Sequence, residues 1–192
     1  MATTVIFAEI MIMGIITLTW LLILSLRLGL LPMNDLVNYL PMLKEWSTPG
    51  LILAAAVAYQ LGSIMNTFSF GVMDYLWGNK IKNSIMSPYD CETALATVHQ
   101  VGSSEIVKGV QGHITYTRLA RSALFNFFFL GVTLLCLGGS YRGIGGLFLL
   151  LSAVSCAAWH TIYSLRYREI RAAYEVIEKD ESIASPNSRE EK

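Results

Sequence analysis

Apolar residues crowd into four windows of this chain: 5–28, 49–72, 122–139 and 143–165. About 20 apolar residues in a helix cross the ~30 Å hydrocarbon core of a bilayer. Between residues 5 and 26 the only charged side chain is Glu9, and from Pro49 to Met73 there is none. One such window could be the buried helix of a soluble core. Four of them within 192 residues predict an all-α integral membrane protein with four transmembrane helices.

The polar intervals organise the rest. Residues 1–72 hold the first two spans and a connection at 29–48, whose apolar stretch 36–46 suits a membrane surface and ends on Trp46, a headgroup-level anchor. Residues 73–121 form a helical module, entered through the aromatic, turn-rich Asp74-Tyr-Leu-Trp-Gly-Asn79. Ser87-Pro-Tyr-Asp90 predicts a helix start, with Ser87 as cap and Pro88 in the first turn, for a helix over 88–101. Gly102 to Glu105 breaks and restarts the chain, and the restarted helix, interrupted by Gly109 and Gly112, runs from around Ile114 into the third span. Residues 122–165 are a hairpin with a short turn at 139–143. Residues 166–192 continue the fourth helix to about Lys179 and then become polar and disordered.

Composition agrees: 54% of residues are hydrophobic and 15% charged, with a mean hydropathy of +0.50. The first window lacks a basic leader and a cleavage site, so it is expected to stay on the mature protein. The net charge of zero does not orient the chain, but the placement of Lys and Arg does. Lys80, Lys82, Lys108, Arg118 and Arg121 lie in the middle segment, and Arg166, Arg168, Arg171, Lys179, Arg189 and Lys192 in the last. Only Arg27, Lys44 and Arg142 fall in the other two connections. The positive-inside rule puts the middle segment and both termini in the cytoplasm, as for a multi-pass protein of a bacterial inner membrane. No basic surface suited to direct nucleic-acid binding stands out.

Several residues could carry function. Gly50, Ala54, Ala58 and Gly62 recur every four residues, a small-residue seam that lets helices approach within or between subunits. Gln60, Ser63, Asn66 and Thr67 give the same helix a polar patch. That patch is either a pore lining or a set of interhelical hydrogen bonds, to Asn126 or Thr133 for example. Glu9, the one carboxylate in a span, can reach interfacial water or pair with Arg118, Arg121 or Arg166. Tyr163, Tyr167, Ile170, Tyr174 and Ile177 alternate four and three apart, a heptad-like seam for an oligomer, a partner or the middle module. Glu175 and Lys179 sit beside it at pairing distance.

His99, His113 and His160 with Cys91, Cys136 and Cys156 give no metal-binding spacing, and no cofactor loop, nucleophile elbow or paired-carboxylate set is present. The expectation is a protein that is not an enzyme and needs no metal or cofactor. Its expected partners are membrane lipids, copies of itself and a cytoplasmic protein, with a small ion channel as the alternative. In layout, from the span at 5–28 to the helix at 163–179, the chain resembles the membrane subunits of bacterial anti-phage defence systems such as Kiwa. That resemblance implies a homo-oligomer that senses membrane disturbance and signals to a cytoplasmic effector.

Overall fold

A computed structural model describes residues 2–30 and 47–184. The stretch 36–46 with Trp46, and the tail from 185, lie outside the described residues. The fold is all-α: α1 (Ala2–Arg27), α2 (Ser47–Met73), a π-helical turn (Asp74–Gly78), α3 (Asn79–Met86), α4 (Cys91–Val101), α5 (Ser104–Leu137) and α6 (Tyr141–Ala184). Among the described residues four stretches, Phe7–Arg27, Gly50–Met86, Ser104–Leu137 and Tyr141–Asp180, are long and apolar enough to cross a membrane, which makes this a multi-pass membrane protein.

Helix ends follow local chemistry. Gly29 has φ +70°, its N–H reaches Leu26 O at 3.2 Å, and the Leu30 N–H reaches Ser25 O at 3.0 Å. This doubly bonded, left-handed stop favours glycine because it carries no Cβ. Gly138 and Gly139 adopt φ +75° and +56° and turn α5 into α6.

Three details differ from the sequence expectation. The cap of α4 is Asp90, not Ser87. The Asp90 side chain accepts from the Thr93 N–H at 2.9 Å and from the Thr93 hydroxyl at 2.8 Å, so the helix starts at Cys91. The helix running into the third span begins at Ser104 and passes through Gly109 and Gly112. Each of these glycines costs about 1 kcal/mol in a helix, and packing offsets the cost: Val110 between them is fully buried. Finally, the exit from α2 is not an open turn. It stays helical, widening into the π-helical turn before α3.

The described chain forms two units. The first takes residues 1–72 and 118–157; the second takes 73–117 and 158–192. The chain passes between the units at 72/73, 117/118 and 157/158.

The first unit joins α1, α2, most of α5 and the start of α6 by close backbone contact. A Cβ placed on Gly14 would collide with Ala58 O, and one on Gly62 with Ile10 O. Only glycine lets α1 and α2 meet there. Phe68 lies edge-on to Phe125 at 5.4 Å, and Trp20 stacks on Phe129 at 5.1 Å. Ser152 donates to Leu124 O at 2.9 Å, tying α6 to α5.

The second unit is built from large side chains. Met73, Met86, Ala94, Val98, Val110, Trp159 and Ile170 are buried, each with at most 1% of its surface exposed. Trp159, Tyr163 and Tyr167 run along α6 with ring centroids 5.0 Å apart at each step. Gly78 makes room for this ladder, because a Cβ there would sit 3.1 Å from the Tyr163 hydroxyl.

Candidate functional site

The strongest polar cluster in the first unit centres on Glu9. The helical pattern of α1 turns Glu9, Ile10 and Met13 toward α2 and α5, and only 9% of the Glu9 surface is exposed. Glu9 shares a cavity of about 10 Å³ with Gly62, Asn66, Arg118 and Ser122 among others, room for one water molecule. Glu9 Oε2 has no hydrogen-bond partner among the described residues. Arg118, on the same wall, supplies the opposite charge. Asn66 Oδ1 accepts from Arg121 Nη2 at 3.2 Å and from Ser122 Oγ at 3.5 Å, and the Arg121 guanidinium also lies 4.8 Å from the Phe70 ring centre. The acid and its counter-charge therefore sit in one apolar helix packing.

The predicted polar patch of α2 is split. Asn66 turns inward to this cluster, whereas Gln60 and Thr67 are exposed and Ser63 is half-buried. The Thr67 hydroxyl donates to Ser63 O at 3.0 Å within its own helix. Neither Asn126 nor Thr133 takes up the patch. Thr133 bonds to Phe129 O at 2.7 Å in its own helix.

Asn126, fully buried, is turned to α1 instead. Trp20 Nε1, which can only donate, reaches Asn126 Oδ1 at 3.3 Å and so fixes which way the amide points. The Thr17 hydroxyl lies 2.8 Å from the same oxygen and 2.9 Å from Met13 O, and Asn126 Nδ2 donates to Met13 O at 3.4 Å. In sequence the signal for this hub was a lone amide inside Phe125-Asn-Phe-Phe-Phe129. Its partner helix was not readable there.

The small-residue seam is used within the chain over half its length. Ala58 and Gly62 are buried against α1, while Ala54 is exposed and Gly50 half-buried. Gly14, the residue that makes the contact possible, was missed. The clue was its four-residue spacing from Ile10, matching Ala58 and Gly62.

In the second unit the aromatic seam is largely occupied by its own chain. Tyr163, Tyr167 and Ile170 are buried, Tyr174 meets Tyr89 edge-on at 5.3 Å, and Ile177 is half-buried. Arg171 donates to Ile85 O at 2.8 Å and to Glu175 Oε1 at 2.7 Å, and His113 pairs with Glu169 at 3.0 Å. A surface hollow of about 350 Å³ is lined by Lys82, Asn83, Ser87, Tyr89, Asp90 and Cys91 among others. Burial pushes the Cys91 thiol up from its usual range, which disfavours the reactive thiolate.

No protein-family model matches the chain, and comparison with curated proteins and with solved structures finds no match.

Proposed function

We propose that this chain is a non-enzymatic, oligomeric module of a bacterial inner membrane that presents cytoplasmic helices to a soluble partner. The second unit carries this reading. Two separated stretches of chain close a core of their own, and the helix surface left outside it mixes charged side chains, Lys80, Glu92, Lys108, Arg168 and Glu178, with exposed apolar ones such as Tyr75, Trp77, Val101 and Val176. The concentration of Lys and Arg in residues 73–121 and 166–192 supports a cytoplasmic placement for these segments and both termini. The layout shared with anti-phage defence membrane subunits supports a role as the sensor or anchor of such a complex.

The test is a tagged pull-down from native membranes, comparing the full chain with an Arg168→Glu/Glu178→Lys variant. Both positions are exposed, so the core is untouched. Truncation after Leu165 would be ambiguous, because it removes Tyr167 and Ile170 from that core. The expected result is a soluble protein recovered with the wild type and lost with the variant. Recovery of no partner overturns the reading.

The second reading, a small ion channel, draws on the outward polar groups Gln60, Ser63 and Thr67 of α2. Ion flux in proteoliposomes that is abolished by Gln60→Leu would favour it, and tight liposomes would dismiss it.

A further inference from the structure

The two sides of α2 are built for different neighbours. At 100° per residue, Gln60 points about 200° away from both Ala58 and Gly62, the residues locked against α1. Around Gln60, Leu53, Ala56, Ser63, Thr67 and Phe70 follow at alternating steps of three and four. All are exposed except Ser63, which is half-buried. This is the spacing of a helix–helix seam, on a face that the chain leaves largely uncovered, with Phe70 at its end meeting Arg121.

Gln60 decides what that face requires. It is the central residue of α2, 13 positions from Ser47 and 13 from Met73, about 20 Å from either end at 1.5 Å per residue. With α2 centred in the bilayer, a primary amide at that depth would face hydrocarbon, where nothing can hydrogen-bond to it. Its side chain makes no hydrogen bond to any described residue. The small residues Ala56 and Ser63, one turn to either side, would let another backbone come close.

We propose that the Leu53–Phe70 face of α2 is the contact for a second copy of this chain in the membrane, with Gln60 meeting Gln60. An amide both donates and accepts, so the same residue on a twofold-related copy can give it one donated and one accepted hydrogen bond. No other intramembrane partner needs to be invoked. The proposal rests on the oligomeric part of the function above and names its interface.

Disulfide trapping in native membranes tests it, using the full chain with Cys91→Ala, Cys136→Ser and Cys156→Ser as background. Single cysteines are placed on the proposed face (Ala56→Cys, Ser63→Cys) and on exposed positions elsewhere (Ile12→Cys, Leu150→Cys). Oxidation is expected to give a covalent dimer from the first pair and not from the second. Adding Gln60→Leu should lower the Ser63→Cys yield several-fold. Equal yields from all four positions, or a yield unmoved by Gln60→Leu, overturn the proposal. So does a monomeric mass for the wild-type chain in native-lipid nanodiscs, a measurement independent of the cysteine substitutions. A soluble partner recovered by a chain that does not cross-link would remove this interface and leave the partner reading standing.

Discussion

The two units solve the same problem with different materials. In the first, helices meet where side chains are missing, at Gly14 and Gly62, and are joined by a few buried polar bonds around Asn126 and Asn66. In the second, they meet through bulk: Trp159, the methionines, Ile170 and a ladder of tyrosines. Each chemistry suits a different solvent. Lipid tails are as apolar as leucine, so burying leucine in a membrane gains little, and close backbone contact with polar bonds must hold the helices together. In water, removing large apolar surface from the solvent is the main drive.

The comparison breaks first where it is most rigid. Gly62→Leu puts a branched side chain where even a Cβ would strike Ile10 O. The expected outcome is loss of the α1–α2 pair and recovery of little folded protein, read as aggregation in size-exclusion chromatography. A Gly62→Leu chain that purified like wild type would show that the two helices do not touch here. Ile170→Ala should come next. It empties a fully buried site in the second unit and should cost about 2–4 kcal/mol. Chemical denaturation of that unit, followed through amide exchange on α4 and α6, measures it. The first unit should keep its protection.

Both halves of this comparison were partly legible. The four spans, the hairpin and the continuous fourth helix can be read from apolar runs, because a membrane helix must hide its backbone over a known length. The aromatic alternation from Tyr163 to Ile177 is equally plain. Which neighbour would cover it was not: Tyr89 and the carbonyl of Ile85 lie some 85 residues away, and only tertiary folding brings them there. The division of labour on α2 was hidden for the same reason. Gln60 and Asn66 look alike in sequence, yet one faces out and the other meets Arg121. The π-helical turn at Asp74–Gly78 leaves no mark in residue type, and the cap at Asp90 was masked by a stronger-looking Ser-Pro two residues earlier.

Polar bonds sharpen the first unit more gently. Asn126→Leu keeps the volume but leaves the Trp20 N–H without its acceptor. A loss of about 1–2 kcal/mol is expected, the upper range for hydrogen bonds between membrane helices. A double-mutant cycle with Thr17→Val should show coupling between the two positions, since the Thr17 hydroxyl and Asn126 Oδ1 are 2.8 Å apart. Strict additivity would mean that Thr17 spends its proton on Met13 O instead.

The smallest effect should appear at the start of α4. The backbone N–H and hydroxyl of Thr93 hold the Asp90 carboxyl below the usual aspartate range. A group whose acidity is strengthened by folding stabilises the fold at pH values above its unfolded pKa. That contribution disappears as pH falls through the lower, folded value. The first turn of α4 should therefore keep its amide protection at neutral pH and lose part of it only under acid, as pH falls below the ordinary aspartate pKa. In Asp90→Ala the protection should be lower throughout, with this acid-dependent step gone. Asp90→Asn should restore part of it, because an amide oxygen can still accept from the Thr93 N–H but carries no charge. Hydrogen exchange at Thr93 as a function of pH reads all three. Identical profiles for wild type and Asp90→Ala would mean the helix is held by its buried side, Cys91, Ala94 and Val98, and that the cap only marks where it begins.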